Sequence, residues 1–144
     1  MSVFEELHGY YLEDLSVGMS ALYAKTISEA DIVMYAGVSG DTNPVHMNAE
    51  FAEQTMFKER IAHGMLSASL LSTIFGTKLP GPGSIYMNQS LNFKAPVCIG
   101  DTVTAKATIR EINGKRVSFD CECKIGDTVV LDGEATLMVS RRNK

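Results

Sequence analysis

Residues 63–76, HGMLSASLLSTIFG, decide the fold because they read as a helix without a charged face. No residue after His63 in this stretch carries a charge, and small residues such as Ala68 let a neighbouring backbone approach closely. A helix with no charged face is usually buried on all sides. The sequence therefore predicts a central helix around which the rest of the chain packs.

The chain after this helix alternates between apolar and polar residues in four segments. They are SIYMNQSLNFK (84–94), TVTAKATIR (102–110), RVSFDCECKI (116–125) and VVLDGEATLMV (129–139). A period of two is typical of strands with one buried face. In the first segment, Ile85, Met87, Leu91 and Phe93 are predicted to share that face. We expect an earlier strand near SALYAKTI (20–27).

Turn residues separate these segments. Asn113-Gly114 predicts a type I′ hairpin turn, in which both central residues have positive φ, and Gly126-Asp127 can serve in the same way. Pro96 and Gly100 break the chain between the first two segments. The four segments are therefore predicted to form an antiparallel meander.

The first half of the chain is predicted to be more helical. Ser28 and Asp31 resemble a capping box, and Asn48 can cap a short helix through AEFAEQT (49–55). No repeat, low-complexity tract or long linker appears. We predict one domain, 1–144, with residues 1–14 as an N-terminal extension. Its fold class is α+β, with a long antiparallel sheet wrapped around the buried helix.

Composition narrows the class of protein. The chain has 144 residues, 45% hydrophobic and 21% charged, as expected of a soluble globular domain. A net charge of −4 and the lack of a basic stripe argue against a nucleic-acid partner. The N-terminus shows no secretory signal, and no apolar run approaches the roughly 20 residues of a membrane span. We expect a cytoplasmic protein that does not bind membranes.

The stretch SGDTNPVH (39–46) places an acid, Asp41, close to a histidine, His46. Imidazole moves protons near neutral pH, and a carboxylate beside it can orient it or share a bound water. Pro44 restricts the chain and Asn43 can bond to nearby backbone, so we expect a rigid turn here. The alternative is a surface loop in which Asp41 caps a turn and His46 has no chemical role.

Gly64 opens the central helix. The first N–H groups of a helix lack internal partners and lie at the positive end of its dipole. Without a side chain, this residue lets a substrate carbonyl approach, and such a donor can stabilise an enolate-like oxygen. The alternative is an ordinary glycine turn before a core helix.

Two further polar residues lie on or beside this helix. We interpret His63 as structural, packed against a carbonyl at the helix start. The hydroxyl of Ser72 either bonds back to the helix carbonyl four residues earlier or contributes to a site. A metal site of Asp41, His46 and His63 is conceivable, but no metal-ligand spacing supports it, and we predict none.

The three cysteines do not indicate a disulfide framework, because their number is odd. Cys121 and Cys123 form a C-x-C pattern, which can bind metals. However, they occupy the alternating apolar positions of a strand, so we interpret them as buried thiols.

These segments together resemble the R-specific enoyl-CoA hydratases, the small MaoC-like members of the hot-dog superfamily. The resemblance rests on SGDTNPVH (39–46), IAHGMLSASL (61–70), LPGPGSIYMNQSLNFKAPVCIGD (79–101) and DGEATLMV (132–139). It implies the hot-dog fold and a homodimer with an acyl tunnel near its interface. It also implies reversible syn hydration of trans-2-enoyl-CoA to R-3-hydroxyacyl-CoA. The substrate carries the CoA, and no metal or redox cofactor is expected.

The resemblance also assigns residues. It puts the catalytic dyad on Asp41 and His46, and the thioester-carbonyl donor on the backbone N–H of Gly64. We predict Ser72, Asn43 and Phe75 as substrate-binding residues, with the bulk of Phe75 favouring short acyl chains.

Two related activities compete with this prediction. Hot-dog dehydratases that act on acyl-carrier-protein substrates, and many hot-dog thioesterases, carry a carboxylate on the central helix. Residues 64–76 contain neither Asp nor Glu, which favours the CoA hydratase. A non-catalytic acyl-CoA binding module would not need both proton carriers.

Overall fold

A single antiparallel sheet and one long helix make up most of the computed structural model, which describes residues 1–143. The helices are α1 (Val3–Leu7), α2 (Glu29–Ser39), α3 (Pro44–Met47), α4 (Ala49–Glu53) and α5 (Gly64–Thr77), with a 3₁₀ turn at Leu12–Asp14. The strands are β1 (Ser20–Thr26), β2 (Ile85–Gln89), β3 (Asn92–Phe93), β4 (Thr102–Asn113), β5 (Arg116–Ile125) and β6 (Thr128–Met138).

The sheet wraps around α5, as the hot-dog prediction requires. Its strand order is β1-β4-β5-β6-β2, and β3 also pairs with β6. The inner face of β4 consists of Val103, Ala105, Ala107 and Ile109, none more than 1% exposed. The small residues in the middle of that strand leave room for the helix. Phe75 of α5 meets the ring of Phe119 edge-on with centroids 4.8 Å apart.

The helix start signals agree with the sequence. Ser28 and Asp31 form a capping box at α2, and the Asn48 side chain accepts a hydrogen bond from the Phe51 N–H at α4. Each side chain satisfies a backbone donor that has no partner inside the helix. Both predicted caps are confirmed.

The prediction of a four-strand meander is wrong in its first strand. Strands β4, β5 and β6 do form a meander, but β2 pairs with β6 and not with β4. The free edge of β4 is taken by β1. The connection 94–101 is long enough to carry the chain across the end of the sheet, where Val97 accepts a hydrogen bond from Ala62.

The predicted buried face of the first segment is also wrong. Ile85, Met87 and Phe93 are 59%, 43% and 55% exposed. A register shift between Tyr86 and Asn88 interrupts the alternation of β2. Because β2 is the last strand of the sheet, its apolar side chains gain no cover from a further strand.

The helix α5 is buried on one face only, so the prediction of burial on all sides is corrected for this chain. Leu71 and Ile74 are fully buried against the sheet. Met65, Ser69, Ser72 and Gly76 are exposed on the opposite face. The lack of charge on this face therefore does not come from packing against the chain's own sheet.

The first hairpin turn lies one residue later than predicted. Asn113 pairs with Arg116, so the two turn residues are Gly114 and Lys115. Gly114 has φ 61°, as the first central residue of a type II′ turn requires. A register shift between Ile109 and Glu111 moves the turn relative to the strand pattern. The predicted Gly126-Asp127 turn is confirmed.

Candidate active site

The Asp41 loop follows directly after α2 and is stiffened by short-range hydrogen bonds. Gly40 ends the helix in the left-handed region at φ 78°, and the Asp41 N–H donates to the Ser39 hydroxyl over 3.1 Å. The Asp41 carboxylate accepts from the Asn43 N–H over 3.2 Å. The side chain is exposed. The loop therefore fixes the backbone while leaving the carboxylate open to solvent.

His46 lies on α3, a single helical turn where the sequence indicated an irregular turn. Asn43 caps it by accepting from the Val45 N–H, and Pro44 occupies the first turn, where no backbone donor is needed. The imidazole is only 8% exposed, and its Nδ1 lies 2.8 Å from the Ile61 carbonyl oxygen. Because a carbonyl only accepts, Nδ1 carries the proton. In the neutral imidazole the Nε2 atom is then the acceptor.

Two residues to which the sequence assigned no contact with His46 hold this histidine in place. The Ile61 carbonyl sets its tautomer, and Arg60 Nε donates to the His46 carbonyl over 2.6 Å. Arg60 is itself paired with Glu29. These contacts join positions far apart in the sequence, and no local pattern marks them. The burial of His46 and its single tautomer depend on them.

The side chains of Asp41 and His46 converge. One carboxylate oxygen of Asp41, one ring nitrogen of His46 and one of His63 all lie within 4.8 Å of one another. A water molecule that hydrogen-bonds to two groups can bridge a gap of this size. The prediction that both side chains can contact one water is therefore consistent with this geometry.

Gly64 begins α5 at the edge of the same site. No residue among 1–143 accepts a hydrogen bond from its N–H. A Cβ at this position would lie 2.7 Å from Cε1 of Phe93, so a side chain would collide with that ring. The free amide and the restricted space fit a donor that a ligand oxygen approaches closely.

A cavity of about 570 Å³ is lined by both His46 and Gly64. Its wall is mostly apolar and includes His46, Gly64, Ser67, Phe93, Val97 and Leu131. Asp41 is not part of this wall. The Ser67 hydroxyl is buried and has no hydrogen-bond partner among the described residues. It is a polar group in a mostly apolar wall. Such a cavity suits a mainly apolar ligand with a few polar atoms.

The three predicted substrate-binding residues lie elsewhere. Asn43 caps α3, Ser72 is exposed on α5, and Phe75 is 1% exposed in the core against Phe119. None of them lines the cavity that His46 and Gly64 share. Among residues 1–143 the Ser72 hydroxyl makes no hydrogen bond, so the predicted alternative of a bond to the helix carbonyl is not seen. Their roles in binding substrate stay predictions.

Asp41, His46 and His63 are also the residues that could hold a metal ion. However, the His46 and His63 rings face each other, with centroids 3.9 Å apart and planes 31° apart. The nitrogen lone pairs lie in the ring planes, and a tetrahedral site needs them to point at one centre, which two rings in face-to-face contact at this tilt do not favour. The expectation that no metal takes part stays a prediction.

The cysteine thiols are poorly suited to act as nucleophiles. Cys121 and Cys123 are buried, as predicted, and burial raises the pKa of Cys123 to about 12. Burial is the largest cause that raises the pKa of Cys98 to about 11, and a hydrogen bond with Glu59 is the next largest. Because the thiolate is the reactive form, all three are kept in their inert state.

No helix within residues 1–143 has the length and apolar character needed to cross a membrane.

Comparison with known proteins gives a consistent result. The MaoC-like domain family matches residues 16–139. An (R)-specific enoyl-CoA hydratase of Rhodospirillum rubrum is 55% identical, over 96% of this chain and 97% of that protein. A 3-hydroxybutyryl-CoA dehydratase of Methylorubrum extorquens is 46% identical, over 96% of this chain and 90% of that protein. Among solved structures, the unliganded R-hydratase PhaJ1 of Pseudomonas aeruginosa superposes with a TM-score of 0.89 at 42% identity, covering 94% of this chain and 89% of that one.

Proposed function

Because this chain belongs to the family of MaoC-like domains, we propose that it is an R-specific enoyl-CoA hydratase. The reaction is the reversible addition of water to a trans-2-enoyl-CoA, which gives an R-3-hydroxyacyl-CoA. The observation that carries the proposal is the convergence of Asp41 and His46 within 4.8 Å, beside a cavity that His46 and Gly64 both line. Relatives named for the hydration and for the reverse dehydration support it.

The chemistry follows from the position of these groups. The Gly64 N–H hydrogen-bonds to the thioester oxygen and stabilises the negative charge that develops there as C3 is attacked. Asp41 and His46 hold one water and take up its proton as the C3–O bond forms. A proton from the same pair is then delivered to C2 on the same face, which makes the addition syn. No metal or redox cofactor enters this scheme.

A direct assay tests the reaction. Crotonyl-CoA is incubated with the protein in the presence of EDTA, and the enoyl absorbance, free thiol and the chirality of the product are measured. We expect loss of enoyl absorbance, formation of R-3-hydroxybutyryl-CoA, no thiol release and no effect of EDTA. Release of CoA thiol without hydration would identify a thioesterase.

A second substrate separates this function from the nearest rival. The matched crotonyl thioester of acyl carrier protein is assayed in parallel. The central helix of this chain, Gly64–Thr77, contains no carboxylate of the kind expected in hot-dog dehydratases of that class. We therefore expect a higher kcat/KM for the CoA thioester. A clear preference for the carrier-protein thioester would favour the dehydratase.

We also propose that two copies pair through β2. This strand ends the sheet, and Ile85, Tyr86 and Met87 are 59%, 41% and 43% exposed on it. An exposed apolar edge strand tends to pair with another strand, and a two-fold axis lets the same edge meet itself. Two sheets would then join into one and cover these side chains. A cytoplasmic location stays a prediction.

Light scattering after size exclusion tests the dimer. We expect a mass about twice the 15.7 kDa of the chain. Met87→Lys places a charge in the proposed interface and should shift the mass towards one chain, whereas Val17→Lys, at an exposed loop residue outside β2, should not. A monomeric parent protein, or a Met87→Lys variant that stays dimeric, would contradict pairing through β2.

A further inference from the structure

His63 contacts each of the three elements that carry the proposed catalytic groups. Its Nε2 lies 2.9 Å from the backbone oxygen of Asp41, and its ring contacts that of His46 with centroids 3.9 Å apart and planes tilted by 31°. It is also joined to Gly64 by the peptide bond that carries the proposed donor N–H. His63 is 2% exposed, so its ring is enclosed by these contacts.

The hydrogen-bond partner of this ring shows which nitrogen carries a proton. A backbone carbonyl accepts a hydrogen bond, so Nε2 carries the proton and donates to Asp41. The other nitrogen, Nδ1, is buried and has no partner among residues 1–143. An unpaired buried nitrogen is unfavourable compared with a carbon in the same place. An apolar ring would therefore pack at least as well here. What the imidazole offers and an apolar ring does not is the hydrogen bond that it donates to the Asp41 carbonyl.

We propose that His63 is a positioning residue, an inference that rests on the proposed hydratase function. Its hydrogen bond fixes the Asp41 backbone relative to the start of α5, and its ring supports His46 from one side. The water held by the dyad is thereby kept at a set distance from the thioester that the Gly64 N–H holds. Because misplacement of reacting groups by about 1 Å can cost on the order of 10²-fold in rate, this contact affects turnover without touching the substrate.

Two substitutions separate the donor from the ring. His63→Gln keeps an N–H donor near the position of Nε2 but removes the ring, and His63→Phe keeps the ring but removes the donor. We expect His63→Phe to lower kcat by about 10- to 100-fold with a much smaller change in KM, and His63→Gln to recover most of that loss. His8→Gln, at a histidine of the N-terminal extension, should leave both constants unchanged.

A double variant tests whether the effect passes through Asp41. If His63 acts by positioning that residue, His63→Phe should cost little further turnover in an Asp41→Asn background, because coupled residues give non-additive losses. Thermal unfolding of each variant is followed by circular dichroism. If His63→Phe does not fold, His63→Asn replaces it, since its shorter amide cannot reach the Asp41 carbonyl.

The possible results are distinguishable. A selective fall in kcat that Gln restores, with loss of additivity at Asp41, supports the positioning role. A parent-like kcat in His63→Phe would overturn it. So would a fall in kcat that parallels the fall in melting temperature in both the Phe and the Gln variants. Either result would leave the hydratase function in place. A parent protein that does not hydrate crotonyl-CoA would overturn both.

Discussion

Asp41→Asn is expected to hydrate crotonyl-CoA on the order of 10³-fold more slowly than the parent protein, with little change in KM. An amide neither takes up a proton nor binds water as strongly as a carboxylate does. The substitution is conservative for the fold, because the Asn side-chain oxygen can still accept the hydrogen bond that Asp41 takes from the Asn43 N–H. The measurement is kcat and KM from the decay of enoyl absorbance, together with a thermal melt.

Asp127→Asn provides a matched control. It makes the same change of charge at an exposed residue of the β5–β6 turn. We expect parent-like kcat and KM for it, which separates a local effect at the dyad from a general effect of net charge. Near-normal hydration by a folded Asp41→Asn variant would show that the carboxylate takes no part in the chemistry.

The features that the sequence predicted well depend on local patterns. Apolar and polar residues alternate in β4 and β5 over enough positions to define a buried face. The cap at Ser28 involves only residues of the first turn of its helix. Asp41 and His46 are five residues apart, on a short loop and on the helical turn that follows it, so their proximity could be expected from the rigidity of Asn43 and Pro44. In each case the residues that form the structure are also neighbours in the sequence.

The features that the sequence did not predict depend on distant partners. The pairing of β2 with β6 is decided by the route of residues 94–101, which carry no periodic signal. The exposure of Ile85 follows from the position of its strand at the edge of the sheet, which an alternating pattern does not reveal. The contact of His63 with the Asp41 carbonyl joins residues that no motif connects, although the pairing of that ring with some carbonyl was expected.

His46→Gln is expected to lower kcat by about 10³-fold as well, because glutamine has no group that titrates near neutral pH. His46→Asn is a useful companion, since its amide nitrogen lies near the position of Nδ1 and can keep the donor to the Ile61 carbonyl. Glutamine places an amide near the position of Nε2 and asparagine places no polar group there, but neither variant has a nitrogen at that position that can take up a proton. Equal losses in the two would locate the effect at Nε2, whereas an active His46→Asn variant would reduce His46 to a structural anchor.

The double variant Asp41→Asn/His46→Gln tests whether the two side chains act on the same water. If they do, either single substitution already removes its activation, and the double variant should be only slightly slower than the slower single one. Groups that acted on separate steps would instead give losses that multiply to about 10⁶-fold, on the basis of about 10³ for each. Multiplicative losses would leave both residues important but would contradict a single shared water, which is the arrangement that their convergence beside the Gly64 N–H supports.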